Sequence, residues 1–86
     1  MTKLEALKKA VSVLGGQTAV AAVCGGKVQQ QHVWNWLERD KKLPERYAMR
    51  IHRATSAKGS LVPAWELCPE AFAEDDIAAI AGELAL

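Results

Sequence analysis

The chain has 86 residues, half of them apolar, which makes one domain near the small end of what folds alone, with a compact core and marginal stability. Its two cysteines, Cys24 and Cys68, are too few for a secreted disulfide scaffold and lack CxxC spacing, so they read as reduced thiols in a cytosolic protein. The net charge of +1 hides a segregation: residues 1–58 hold all 11 Lys and Arg with four acids (Glu5, Glu38, Asp40, Glu45), whereas residues 59–86 hold six acids and no cation. A basic body suggests a polyanion partner, and the acidic tail suggests a separate task.

In chain order, Leu4, Leu7, Val11 and Leu14 form the stripe of a first amphipathic helix, stopped by Gly15-Gly16. Lys8 and Lys9 precede an uncharged run, Ala10 to Gly26, which imitates a signal peptide. Gly-Gly-Gln-Thr interrupts it and leaves it too short to span a bilayer, so the expected location is cytoplasmic, at the nucleoid, with no membrane partner. Residues 17–24, "QTAVAAVC", read as a short helix of small residues that ends at Gly25-Gly26.

The next helix, at about 29–39, lies in "VQQQHVWNWLERDKKLP". On a helix of about 3.6 residues per turn, Val33, Trp36 and Leu37 share the buried stripe, and Gln31, Asn35 and Glu38 fall on the opposite face. Trp34 and Arg39 flank that opposite face; Trp34 either stands exposed there or packs on another part of the fold. Side-chain amides bind adenine through N6 and N7 in the major groove, and an exposed ring meets a thymine methyl. Gln29, Gln30, Gln31, Trp34 and Asn35 are therefore the candidate base-facing residues. Lys27 before the helix and Arg39, Lys41, Lys42 and Arg46 along and after it are candidate phosphate ligands. Gln17 and Thr18, at the start of the preceding helix, could hold a phosphate as well. Helix, glycine turn and helix make a helix-turn-helix, whose second helix enters the groove. A polar solvent face with clustered glutamines is the bland alternative.

Lys41 to Leu43 reads as a linker and Pro44 as the start of a fourth helix, which presents Tyr47, Ala48, Ile51, Ala54 and Thr55 on one side. A turn at Lys58 to Ser60 follows, then a single helical turn from Pro63 to Leu67, closed by Pro69. Finally, "EDDIAAIAGEL" is a helix with acids at its start and Ile77, Ile80, Ala81 and Leu84 on one face. No run alternates as a strand does, so the fold class is all-α.

The motifs "GGQTAVAAVCG", "VQQQHVWNWLERDKKLPER" and "WELCPEAF" occur in an order that resembles the Cro-type helix-turn-helix regulators of phages and prophages, in particular the YdaS-like group. The resemblance runs from about Leu4 to Phe72. It implies a compact five-helix Cro/repressor-like domain over 1–72, followed by a C-terminal amphipathic helix, 73–86. It also implies a regulator that reads a double-stranded DNA operator, with repression favoured over activation. In the family roles, Gln17 and Thr18 touch backbone, Gln29, Gln30, Gln31, Trp34 and Asn35 face bases, and Ala21, Val33 and Trp36 pack the motif. Two departures matter. Gly25 to Val33 spans eight residues against the usual six, which implies a turn lengthened by Gly26-Lys27. Cys68 and Pro63 also stand where the family commonly has Arg and Ser or Thr. The group is also described as antitoxin-like, so the alternative function is an interaction module whose ligand is a toxin or another regulator protein.

An enzyme is not expected, because no Ser/His/Asp or Cys/His pairing and no phosphate-binding glycine loop is present. No cofactor is expected, and no metal, since Cys24, His32, His52 and Cys68 lack finger-like spacing. The two histidines read as surface or boundary residues. RNA binding lacks its aromatic sheet or clamp-loop motifs. Self-association into a dimer or higher oligomer through Ile77, Ile80 and Leu84 would pair two reading helices across a palindromic operator.

Overall fold

A computed structural model of the chain describes residues 2–85, with the side chains of residues 81 and 83–85 left aside. It is all-helical, with no strand among the described residues. Helix α1, Lys3–Leu14, begins at a capping box: Thr2 Oγ1 accepts the Glu5 N–H at 3.1 Å, and Glu5 Oε1 accepts the Thr2 N–H at 3.1 Å. Hydrogen bonding by the Thr2 backbone N–H, with the Thr2 hydroxyl beside it, holds the Glu5 carboxyl below the usual carboxylate range. Its buried face is Ala6, Leu7, Ala10 and Leu14, while Leu4 and Val11 lie at the edge of the core. The expected stripe is thus rotated toward two alanines, whose small side chains let neighbouring helices come close.

Gly15, at φ +99°, closes α1 in the left-handed region that glycine favours, and α2, Gln17–Cys24, starts at once. Val20, Ala21 and Cys24 face the core. Helix α3, Gln30–Asn35, continues through one π-helical turn, Trp36–Asp40, that ends at Lys41 in the left-handed region, φ 58°. Val33, Trp36 and Leu37 all enter the core, as the helical stripe implies. Leu43, expected in a linker, is also buried and anchors the connection.

Pro44 starts no α-helix directly. A 3-10 turn, Glu45–Tyr47, leads into α4, Ala48–Ala57, whose buried face is Ala48, Ile51, His52 and Thr55. His52 is fully buried, which corrects the surface reading. The reason is a backbone donor. His52 Nδ1 accepts the Ala64 N–H at 2.9 Å, and its ring lies 5.5 Å from that of Trp65. Thr55 Oγ1 likewise accepts the Val62 N–H at 2.9 Å and donates to the Ile51 carbonyl at 2.8 Å. These two polar side chains satisfy the Val62 and Ala64 N–H groups, which would otherwise be buried without a strand to pair with.

Helix α5, Ala64–Leu67, a 3-10 turn, Pro69–Ala71, and α6, Glu74–Ala85, complete the chain. Lys3 pairs with Glu70, tying the first helix to the segment after α5 and lowering the Glu70 carboxyl pKa. Among the described residues, helix α6 makes little contact with the other helices. Ile77 and Ile80 are half-buried and do not join the core, and the side chains of Ala81 and Leu84 lie outside the described residues. No helix among the described residues is long and apolar enough to cross a membrane.

Candidate nucleic-acid interface

The path from α2 to α3 is a five-residue turn, Gly25 to Gln29, closed by the Val28 N–H on the Gly25 carbonyl at 3.0 Å. Its extra length is the one implied by the glycine spacing. Gly25 sits at φ +119°, and a Cβ there would come within 2.9 Å of Arg50 Nη1. That guanidinium nitrogen donates to the Cys24 carbonyl at 2.8 Å, so α4 caps the end of α2 from the side. Sequence patterning gave no hint of this cap, because nothing in the spacing of Cys24 and Arg50 marks it.

The start of α3 is held by His32, whose Nδ1 accepts the Gln29 N–H at 2.9 Å. Beyond that anchor Gln29, Gln30, Gln31 and Trp34 are all exposed, and Trp34, at 42% exposure, is the one large apolar side chain among the described residues that the fold leaves in solvent. The alternative packing of Trp34 does not occur. Asn35 is half-buried, and its Oδ1 faces Gln31 Nε2 at 3.4 Å, a one-turn pair that aligns both amides. Gln30 Nε2 donates to Gln17 Oε1. The first residues of α2 and α3 are thereby joined, which brings the candidate phosphate ligand Gln17 beside the base-facing set. Thr18, next to it, is exposed.

Lys27, Arg39, Lys41, Lys42 and Arg46 are all exposed, but they are not one cluster. Lys27 and Arg46 line a single cleft with Val28, His32, Trp36 and Tyr47. Arg46 lies over the Tyr47 ring at 5.1 Å, and Tyr47 stacks against Trp36 with ring centroids 5.5 Å apart. Lys42 lines a different cleft, with Lys3, Glu45, Cys68 and Glu70. Cys68 donates its thiol to the Leu43 carbonyl at 3.3 Å, and burial raises its pKa, with Glu45 and Glu70 adding to the rise. No group of three or more His, Cys, Asp or Glu among the described residues is arranged to hold a metal ion. His32, Tyr47 and Arg50 are the residues of this region that sequence reasoning did not assign.

These features define a class: a compact all-helical domain in which a short helix, a glycine turn and a second helix expose a row of amides and one indole. The family model described as "Bacterial toxin YdaS" matches residues 7–75, and the chain belongs to that family. Comparison with curated proteins and with solved structures gave no match.

Proposed function

We propose that the chain is a sequence-specific, double-stranded-DNA-binding transcriptional regulator of phage or prophage type, a binder and not a catalyst. On this reading α3 enters the major groove of an operator, and repression is favoured over activation. The observation that carries it is the exposed row Gln29, Gln30, Gln31 and Trp34 on a helix whose other face is locked into the core by Val33, Trp36 and Leu37. A rigidly held helix with amides outward and cations at both ends suits base readout between phosphate contacts. The Cro-type helix-turn-helix resemblance supports the same reading. The family's description as a toxin is compatible with it, since a regulator that silences or releases the wrong genes harms its cell.

A second reading is favoured by one observation, the lightly packed acidic α6. There the main ligand is a protein, either a toxin-type partner or a second copy of the chain. Selection of bound sites from random duplex DNA by the purified protein tests the two. An enriched motif supports the regulator; an unenriched pool, with elution from heparin at low salt, overturns it in favour of the interaction module.

A further inference from the structure

The cleft beside the start of α3 has a volume of ≈ 320 Å³, large against the roughly 30 Å³ that a water occupies in the liquid, and large enough for a nucleotide-sized group. We propose that it seats one sugar–phosphate unit of a DNA strand, and that His32 donates to its phosphate through Nε2–H, beside Lys27 and Arg46. This inference rests on the DNA-reading function and adds a ligand and a place to it.

The lining carries the argument. Lys27 and Arg46 line the cleft, Trp36 and Tyr47 give it apolar surface, and no acid among the described residues lines it. The cleft that holds Lys42, by contrast, contains Glu45 and Glu70 beside its lysines. A surface of rings with cations and without carboxylates matches a deoxyribose on one side and an anionic phosphate on the other. Arg46 is held in place by its position over Tyr47, 5.1 Å from the ring centroid.

His32 has little choice of tautomer. Its Nδ1 is the acceptor for the Gln29 N–H, 2.9 Å away, so the neutral ring carries its proton on Nε2, which can then only donate. The same imidazole that fixes the first turn of α3 thus offers a hydrogen bond to an anion. The lengthened turn serves the cleft as well. The bend closed by Val28 on Gly25 brings Lys27 and Val28 to the cleft.

The test uses the full chain and the duplex it selects, with binding measured against salt and melting measured in parallel. His32→Gln keeps an acceptor for the Gln29 N–H and a donor for the phosphate, and it should bind within about threefold of the unsubstituted protein. His32→Glu keeps the acceptor, because Glu is a normal helix-capping partner at this position, and should melt unchanged. It nevertheless sets a carboxylate against the phosphate and should lose at least about tenfold in affinity on selected and random duplexes alike. Replacing single phosphates by uncharged methylphosphonate should reveal one position that weakens the unsubstituted protein and leaves a Lys27→Ala/Arg46→Ala double variant indifferent. A deoxynucleoside monophosphate should not compete; competition at micromolar concentration would assign the cleft to a free nucleotide and overturn the proposal. If the protein binds duplex but His32→Glu binds as well, the cleft proposal is overturned while DNA reading stands. If no duplex is bound at all, both readings fall.

Discussion

Helices α3 and α6 each carry a polar group of residues, amides on α3 and acids in the first turn of α6, yet the fold treats them in opposite ways. Val33, Trp36 and Leu37 fix α3 against α2 and α1, so the amides opposite them are presented by a rigid base. Helix α6 has acids at its N-terminus, where Asp76 accepts the Ala73 N–H at 3.1 Å, but Ile77 and Ile80 find no place in the core. Good local capping does not substitute for packing: a helix of 12 residues is marginal alone in water. The contrast teaches that the exposure of the α3 amides is built into the packing of the domain, whereas α6 takes little support from that packing.

The strongest way to break this comparison is to remove the anchor of α3. Trp36→Ala should cost about 3–5 kcal/mol and unfold much of the protein, as read by denaturant titration. Trp34→Ala, two residues away, should stay within about 0.5 kcal/mol of the parent and lose specific DNA binding. Equal destabilisation by the two would show that α3 is rotated from its described orientation. Next in size is Thr55→Val, which strips the Val62 N–H of its buried acceptor and should cost roughly 1–3 kcal/mol by the same measurement.

Substitution of Gln31 by Ala sharpens the functional side. It should weaken the preferred operator by about 1–3 kcal/mol and leave random DNA nearly unaffected, measured by competition binding. Uniform weakening on every sequence would remove α3 from the role of reader. Deleting residues 73–86 should change melting only slightly, and sedimentation should report a monomer for the truncated protein and a self-associated species for the full chain. Outright unfolding of the truncated protein would place α6 with the core instead.

The smallest effect expected is on pH dependence. Burial pushes the Cys24 thiol up to about 11, above its value in an unfolded chain. The folded state therefore keeps its proton where the unfolded state loses it, so stability is whole below the unfolded pKa and declines as pH rises from there toward 11. Alkylation of Cys24 at pH 8 should accordingly be slow until denaturant is added.

Much of this contrast is legible in the sequence, and the limits are physical. The separation of Trp36 from Trp34 follows from helical period alone, as does the lengthened turn from glycine spacing. His52 was legible in principle, since it shares a face with Ala48 and Thr55, but a histidine's polarity argues against burial until the Ala64 N–H is known to need it. The Arg50 cap on Cys24, the cleft between Lys27 and Arg46, and the π turn depend on how separate segments meet, which no local pattern encodes. The exposure of Gln31 was legible, because a position opposite a hydrophobic stripe is a one-helix property, whereas Asn35 on the same face is less open than expected.

The end of the π turn sets stability against binding at one residue. Lys41 adopts φ 58°, a conformation that costs a non-glycine residue about 1 kcal/mol. Lys41→Gly should recover about that much stability, and on the proposed function it would also remove a cation from the DNA-facing side. Adaptation toward a hardier protein and adaptation toward a tighter binder therefore pull this one position in opposite directions. A lineage that replaces this lysine with glycine has traded grip for endurance.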